Sequence, residues 1–463
     1  MMIDPMDRQV LLEMVATVDG SYYDTFRPSL HKYLRLSRNK KFMSSPTNHL
    51  ALQLAILQAL EQGDNAVRKG RLLVKNPKDS QQHLHNLRNQ HLNTAFRSIA
   101  DGIAWRTLEF NRFHLRILSQ ARSPGAADKK VGRVAEREMA KRVAEELGDQ
   151  VLFNDATNIL RVGDLTFVKL DKKHHPYLAE MKMRRGKMVL SNIKSIGKKL
   201  DSGKALSTQE KRLWQAQKAL IRNEFAIAGQ PAVKVLETQP GKPKHYMRKV
   251  NRLLVKANAE GAAEGFVSKY IYVSAVDVTF YKKGGTLNAG PSRAPKNLQP
   301  IMTWNNYEML SLLKQREVAR SSAPYTTFPF SVANVTKLLL GEILLQTVIY
   351  LQPLADEFKR LGWELVFDTQ ELDKYDSNEN DRVKHFSGDI LFPDEGFKGG
   401  NILMLHHPTN GFKWPIYQFV SQMVHEFISA DYIASVANEI MRASKPGVNA
   451  HYVVDNNDTN RWI

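Results

Sequence analysis

Three ionisable residues stand inside apolar, strand-like runs: Asp164 in "GDLTFVKL", and Glu180 and Lys182 in "YLAEMKM". Strand interiors usually exclude charge, so this placement points to chemistry. Alternation along a strand puts positions 180 and 182 on one face. The polar stretch "DKKHHP" between the runs reads as a hairpin turn, with Pro176 opening the second strand. If the turn centres near Lys172, Asp164 falls across from Glu180. Two carboxylates so close repel unless a cation lies between them. Magnesium or manganese suits such a site, taking one or two carboxylates plus water and phosphate oxygens. A metal held there acidifies water and offsets charge during phosphodiester hydrolysis. Lys182 would orient or deprotonate the water, or neutralise the phosphate.

The elements that must hold these residues can be read on either side. "VGRVAEREMAKRVAEELGD" is an amphipathic helix, with Val134, Met139, Val143 and Leu147 expected inward and Gly148 near its C-cap. A short strand around "QVLF", the two charged strands, a basic connector and a second helix follow. That helix, "STQEKRLWQAQKALIRNEF", has Ser207 at its N-cap and Glu210 three residues on, a capping-box pattern. "PAVKVLE" is expected to close the block as a further strand, with "YIYVSAVDVTF" as an addition.

This block resembles the PD-(D/E)xK, restriction-endonuclease-like phosphodiesterases, whose signature is an aspartate on one core strand and Glu-x-Lys on the next. Asp164, Glu180 and Lys182 match it, with Gly163 where the signature has proline. The Ala-Glu-Arg-Glu run resembles the first helix of archaeal-type Holliday junction resolvases. The resemblance covers about residues 131–240. It implies Glu136 as a further metal-binding and catalytic acid, with Glu138 as the fallback. It implies polar or basic residues of the second helix near the scissile phosphate, among Gln215, Gln217 and Lys218. Arg184, Arg185, Lys187, Lys211 and Arg212 join Gln217 and Lys218 as the expected nucleic-acid contacts. DNA is favoured over RNA by the resemblance alone.

Composition agrees with a polyanionic partner. The 463 residues carry a formal net charge of +19, and the basic residues cluster after Lys182 and again in "KPKHYMRKVNRLLVK". Such binding weakens steeply with salt. The absence of cysteine excludes disulfides, thiolate nucleophiles and Cys-ligated metals. No phosphate-loop or dinucleotide glycine pattern is present. "LLLGEILLQTVIYL" carries Glu342 and Gln346 and reads as part of a long buried helix rather than a membrane span. With no signal-peptide pattern, a cytoplasmic location without membrane contact is expected.

The expected fold is α/β (α+β): a helical N-terminal region (1–122), a restriction-endonuclease-like domain (128–285), a linker (286–300) and an α/β C-terminal domain (301–463). "WELVFD", "GDILF", "NILML" and "HYVV" read as strands of the last part, and "KWPIYQFVSQMVHEFISADYIASVANEIMRAS" as a helix. His174 and His175 read as solvated turn residues, His83, His85 and His91 as helical surface, and Trp105 as core. His385, Asp389, Asp394, His406 and His407 form a weaker second metal candidate. The function expected is a magnesium- or manganese-dependent nuclease, with restriction or anti-phage defence as the suggested role. Two alternatives stay open: a non-catalytic nucleic-acid-binding protein with a degenerate core, and a structural subunit whose N- or C-terminal region binds copies of itself or another protein.

Overall fold

A computed structural model describes residues 22–73, 80–119, 133–170, 175–184, 187–222, 224–225, 233–234, 244–282, 295, 297–298, 300–306, 323–368 and 402–443. The protein mixes helices with small antiparallel sheets, an α+β architecture. Its contacts define two compact units: Met1–Glu224 with Ala323–Glu342, and Phe225–Ser322 with Ile343–Ile463. The first 122 residues and the Asp164–Glu180 strands therefore belong to one unit, and the expected linker lies within the second.

The first unit starts with helices α1 (Tyr22–Arg38), α2 (Lys40–Met43), α3 (Pro46–Leu73), α4 (Ser80–Thr107) and α5 (Arg112–Leu118). Pro46 opens α3, where its missing N–H costs nothing. The long antiparallel pair α3 and α4 forms the centre, with α1 packed on both. Because α4 is surrounded, its polar residues are buried too: Asn89, His91, Asn93 and Asp101. His91 is thus interior, not helical surface. Burial lowers its pKa to about 4. Trp105 is buried as expected, with the Arg112 guanidinium 5.1 Å above its ring.

Helix α6 (Arg133–Arg142) ends in a π-helical turn, Val143–Leu147, closed by Gly148 at φ 68°. Its buried face differs from the expected one. Val134 and Leu147 are exposed, while Arg133, Glu136, Ala140, Val143 and Ala144 point inward. Ion pairs make this tolerable: Arg133 bonds Glu136 (2.8 Å) and also reaches Glu61 and Asp155 (3.4 Å each).

A four-stranded antiparallel sheet follows in chain order: β1 (Gln150–Phe153), β2 (Leu165–Val168), β3 (Tyr177–Arg184) and β4 (Lys187–Ser191). The stretch after Lys182, expected to be a connector, supplies β4. It pairs Glu180 with Ser191 and Lys182 with Val189. Helices α7 (Ile193–Asp201) and α8 (Thr208–Arg222) complete the block. The capping box is present, with the Ser207 amide donating to Glu210 (2.9 Å) and the Glu210 amide to Ser207 Oγ (3.3 Å). Of the expected closing strand, Val233–Lys234 (β6) pairs only with Glu224–Phe225 (β5), not with the four-stranded sheet.

Two buried glutamines stand in for missing strand neighbours. On α3, Gln53 accepts from the Phe153 amide (3.0 Å) and donates to the Val151 carbonyl. On α8, Gln217 accepts from the Leu178 amide and donates to the Pro176 carbonyl, both at 2.8 Å. Backbone groups that no strand reaches are thereby satisfied.

The stretch 323–342 also belongs to this unit. Arg38 donates to the carbonyls of Thr326 (3.1 Å), Phe328 (2.5 Å) and Phe330 (2.6 Å), and Arg106 to that of Thr326 (2.7 Å).

The second unit has α9 (Met247–Glu260), β7 (Ala262–Phe266), β8 (Ile271–Asp277), α10 (Val278–Lys282) and β9 (Pro300–Asn305). In the first unit, α11 (Val332–Leu339) packs on α1. The chain then returns as β10 (Ile343–Tyr350) and α12 (Leu351–Arg360). The long helix expected here is overturned: Gly341 at φ 70° ends α11, and "ILLQTVIY" pairs antiparallel with β8 and β9. Its β-branched residues suit a strand between two neighbours. The sheet order is β7-β8-β10-β9. A smaller sheet joins β11 (Glu364–Asp368), β12 (Ile402–His406) and β13 (Lys413–Pro415). Helices α13 (Tyr417–Glu426) and α14 (Ala430–Ala443) follow, separated at Phe427, whose φ is 56°. The expected strands "GDILF" and "HYVV" lie outside the described residues. No described helix is long and apolar enough to cross a membrane.

Candidate functional site

Asp164 stands at the point where β2 begins, and its neighbours fix it there. Gly163 has φ 78°, and a Cβ at this position would lie 2.8 Å from the Ala179 carbonyl oxygen. A left-handed backbone under a neighbouring strand's carbonyl admits glycine only. Proline, with φ near −65°, cannot take this conformation, which accounts for the departure from the Pro-Asp signature.

The ladder pairs Leu165 with Ala179. The amide of Asp164 also donates to the Ala179 carbonyl, at 2.8 Å. Two consecutive residues thus address one partner, as in a bulge. Asp164 therefore does not take the next rung, opposite Glu180, where the sequence placed it. Its side chain reaches along β3, where Oδ2 accepts from the Met181 amide at 2.7 Å. Met181 is the central residue of Glu180-Met181-Lys182. Asp164 and Glu180 are each 8% exposed. Lys182 is placed by its backbone pairing with Val189.

Asn154, which the sequence did not single out, pins the approach to Asp164. Its amide donates to the Asp164 carbonyl (3.0 Å), and its Nδ2 to the carbonyl of Val162 (2.8 Å). Its Oδ1 accepts from Thr166 Oγ1 (2.9 Å). The one signal in the sequence is a polar Asn-Asp pair directly after the apolar run "QVLF".

On the other flank of Glu180, Ser191 donates to Glu210 at 3.3 Å, and Lys199 of α7 pairs with the same carboxylate. The Lys199 ammonium, then the Ser207 groups, hold Glu210 down at about 2 against the cost of burial. Glu210 so ties β4, α7 and the start of α8 together beside Glu180.

The remaining expected residues are distributed as follows. Glu136 is 2% exposed and its carboxylate is taken by Arg133. Glu138, Lys211 and Arg212 are exposed, and Lys218 lies over the Trp214 ring at 4.7 Å. Gln217 is buried and committed to the β3 backbone, so it presents no free amide to a nucleic acid. Arg184 and Lys187 end β3 and begin β4, paired through their backbones. Arg185 and His174 lie outside the described residues. His175 sits against the ring of His114, 6.2 Å between centroids.

Among the described residues, no group of three or more His, Asp or Glu side chains is arranged to hold a metal. Asp164, Glu180 and Glu136 therefore do not form one. Of the second candidate, His385, Asp389 and Asp394 lie outside the described residues, while His406 pairs with Glu364 (3.1 Å) and His407 packs on Trp363. A pair of carboxylates does fit magnesium, which takes one or two and leaves its other positions to water and phosphate. No protein-family model matches the chain, and neither does any curated protein or solved structure.

Proposed function

We propose that the protein is a metal-dependent nuclease that hydrolyses phosphodiester bonds in nucleic acid. The core would be restriction-endonuclease-like, built from α6, the four-stranded sheet and α8. One observation carries this reading: the carboxylate of Asp164 rests on the central amide of Glu180-Met181-Lys182. In it, Asp164 and Glu180 hold magnesium or manganese. The ion, when bound, would offset negative charge at the phosphate and acidify the attacking water. Lys182, two residues beyond Glu180 on β3, orients the water or neutralises the phosphate. Exposed Lys211 and Arg212, with Lys218, Arg184, Arg185 and Lys187, track the phosphate backbone. Glu136, bonded to Arg133, stands outside the ligand set. DNA as the substrate rests on the resemblance alone, and a role in restriction or phage defence on the further regions that flank the core.

A second reading has its own support. Both carboxylates are 8% exposed, which suits a core that kept its shape and binds nucleic acid without cutting it. Incubating the protein and its Glu180→Ala variant with plasmid, linear and single-stranded substrates separates the two. Cleavage with magnesium or manganese, lost in EDTA and in the variant, supports the nuclease. Binding without cleavage under every condition supports the second reading.

A further inference from the structure

The second unit carries a basic surface that the carboxylate pair does not use. On α9, Arg248, Lys249, Arg252 and Lys256 are exposed, and Lys244 is exposed just before it. Positions 248, 252 and 256 recur every fourth residue, so they rise along the helix by about 6 Å per step. That is comparable to the spacing of successive phosphates on one strand. From Lys244 onward the first acidic residue is Glu260, at the end of the helix, 3.7 Å from Lys256.

An exposed ring lies at the sheet edge beside this helix. Phe266 ends the edge strand β7 and is 45% exposed. Two buried tyrosines support it: Tyr272, edge-on at 5.1 Å, and Tyr350 at 6.0 Å. Lys249 reaches from α9 to the carbonyl of Val267, the residue after Phe266, at 2.8 Å. Lys269 is exposed in the following turn. Among the described residues, the acidic groups near this edge include the half-buried Glu264, Glu357 within electrostatic reach of Lys269, and Asp431, which acts on Tyr246 at the start of α9 and pairs with Arg360. Cations outnumber them. A ring held rigid by its neighbours and flanked by ammonium groups is what a nucleobase stacks on.

We propose that the exposed side of α9 and the Phe266 edge bind single-stranded nucleic acid, with Arg248, Arg252 and Lys256 on successive phosphates and one base stacked on Phe266. In a duplex the bases are already stacked on one another, which leaves no face for Phe266. A membrane surface would use the cations and not the ring geometry. This surface stands apart from the cleavage reading and does not need it.

Fluorescence anisotropy on the full chain tests the proposal. EDTA is present throughout, and the probes are labelled oligothymidine, a duplex of equal length and vesicles of phosphatidylserine and phosphatidylcholine. Oligothymidine is expected to bind most tightly. Arg248→Ala/Arg252→Ala/Lys256→Ala should weaken it about tenfold or more and flatten the salt slope by about 2, at about 0.7 per phosphate contact. Phe266→Ala should weaken it about tenfold, with Phe266→Trp restoring it. Cleavage is scored in a separate arm with magnesium in place of EDTA, so failure of the cleavage reading shows separately. Parent-like binding by the triple variant, or a preference for duplex or vesicles, overturns the proposal. All three changes of the triple variant fall at exposed positions, so it decides the matter even if Phe266→Ala fails to fold.

Discussion

The carboxylate of Asp164 accepts a 2.7 Å hydrogen bond from the backbone amide of Met181. The contact spans the gap left where β2 departs from β3, and it sets the aspartate one residue from Glu180. Asp164→Asn keeps an oxygen for the Met181 amide and removes the charge. Asp164→Ala removes both. The alanine variant should therefore lose about 1–3 kcal/mol more stability than the asparagine variant, measured by urea unfolding. Both should abolish cleavage.

Gly163 is expected to tolerate no side chain. Gly163→Ala places a Cβ 2.8 Å from the Ala179 oxygen at φ 78°. The left-handed backbone alone costs a non-glycine residue about 1–3 kcal/mol. A unfolding midpoint equal to the parent's would show that this turn can relax.

Gln217 should matter for stability, not for affinity. Gln217→Ala strips partners from the Leu178 amide and the Pro176 carbonyl. A buried polar group left unsatisfied costs about 1–3 kcal/mol. Urea unfolding should register the loss. Oligonucleotide affinity of the folded variant should stay within about twofold of the parent's, because no free amide is lost.

Acid should destabilise the first unit as pH falls from 6.5 toward 4. Burial lowers His49, His91 and His114 to about 4, with His175 adding to the shift at His114. Each contributes stability that is present above the unfolded value near 6.5 and lost as pH falls toward 4. Asp101 works the other way. Burial raises it to about 6 against hydrogen bonds from Asn158 and Ile159, so its native form regains stability as pH falls from 6 toward 3.8. Three protons against one leave a net loss on acidification, at about 1.4 kcal/mol per pH unit for each net proton. Thermal midpoints from pH 7 to pH 4.5 should fall, and His91→Gln should flatten the curve. A flat parent profile would contradict the burial of these rings.

Between α6 and α8, the two helices and the strands β1 to β3 were legible because their signals are local, while β4 and α7 were read as a basic connector. Alternating charge inside apolar runs marked β2 and β3, and the Ser207–Glu210 spacing marked the start of α8. The bulge at Asp164 was not legible, since it depends on how the Ala179 carbonyl meets a glycine φ of 78°. Nor was the inward face of α6, where pairing of Arg133 with Glu136 reversed the expectation that Val134 is buried. The strand "ILLQTVIY" was mistaken for helix because a short apolar run fits either period. Pairing with β8 and β9, distant in sequence, decides it. Gln217 is polar on a basic helix, and only its place beside Leu178 reveals a structural role.

The central claim is that Asp164 and Glu180 share one divalent cation. Manganese binding, followed by electron paramagnetic resonance or calorimetry without nucleic acid, tests it most directly. The parent should bind one ion per chain at this pair, and Glu180→Gln and Asp164→Asn should each lose it while keeping the parent's circular dichroism. Undiminished manganese binding by the Asp164→Asn/Glu180→Gln double variant would contradict the claim.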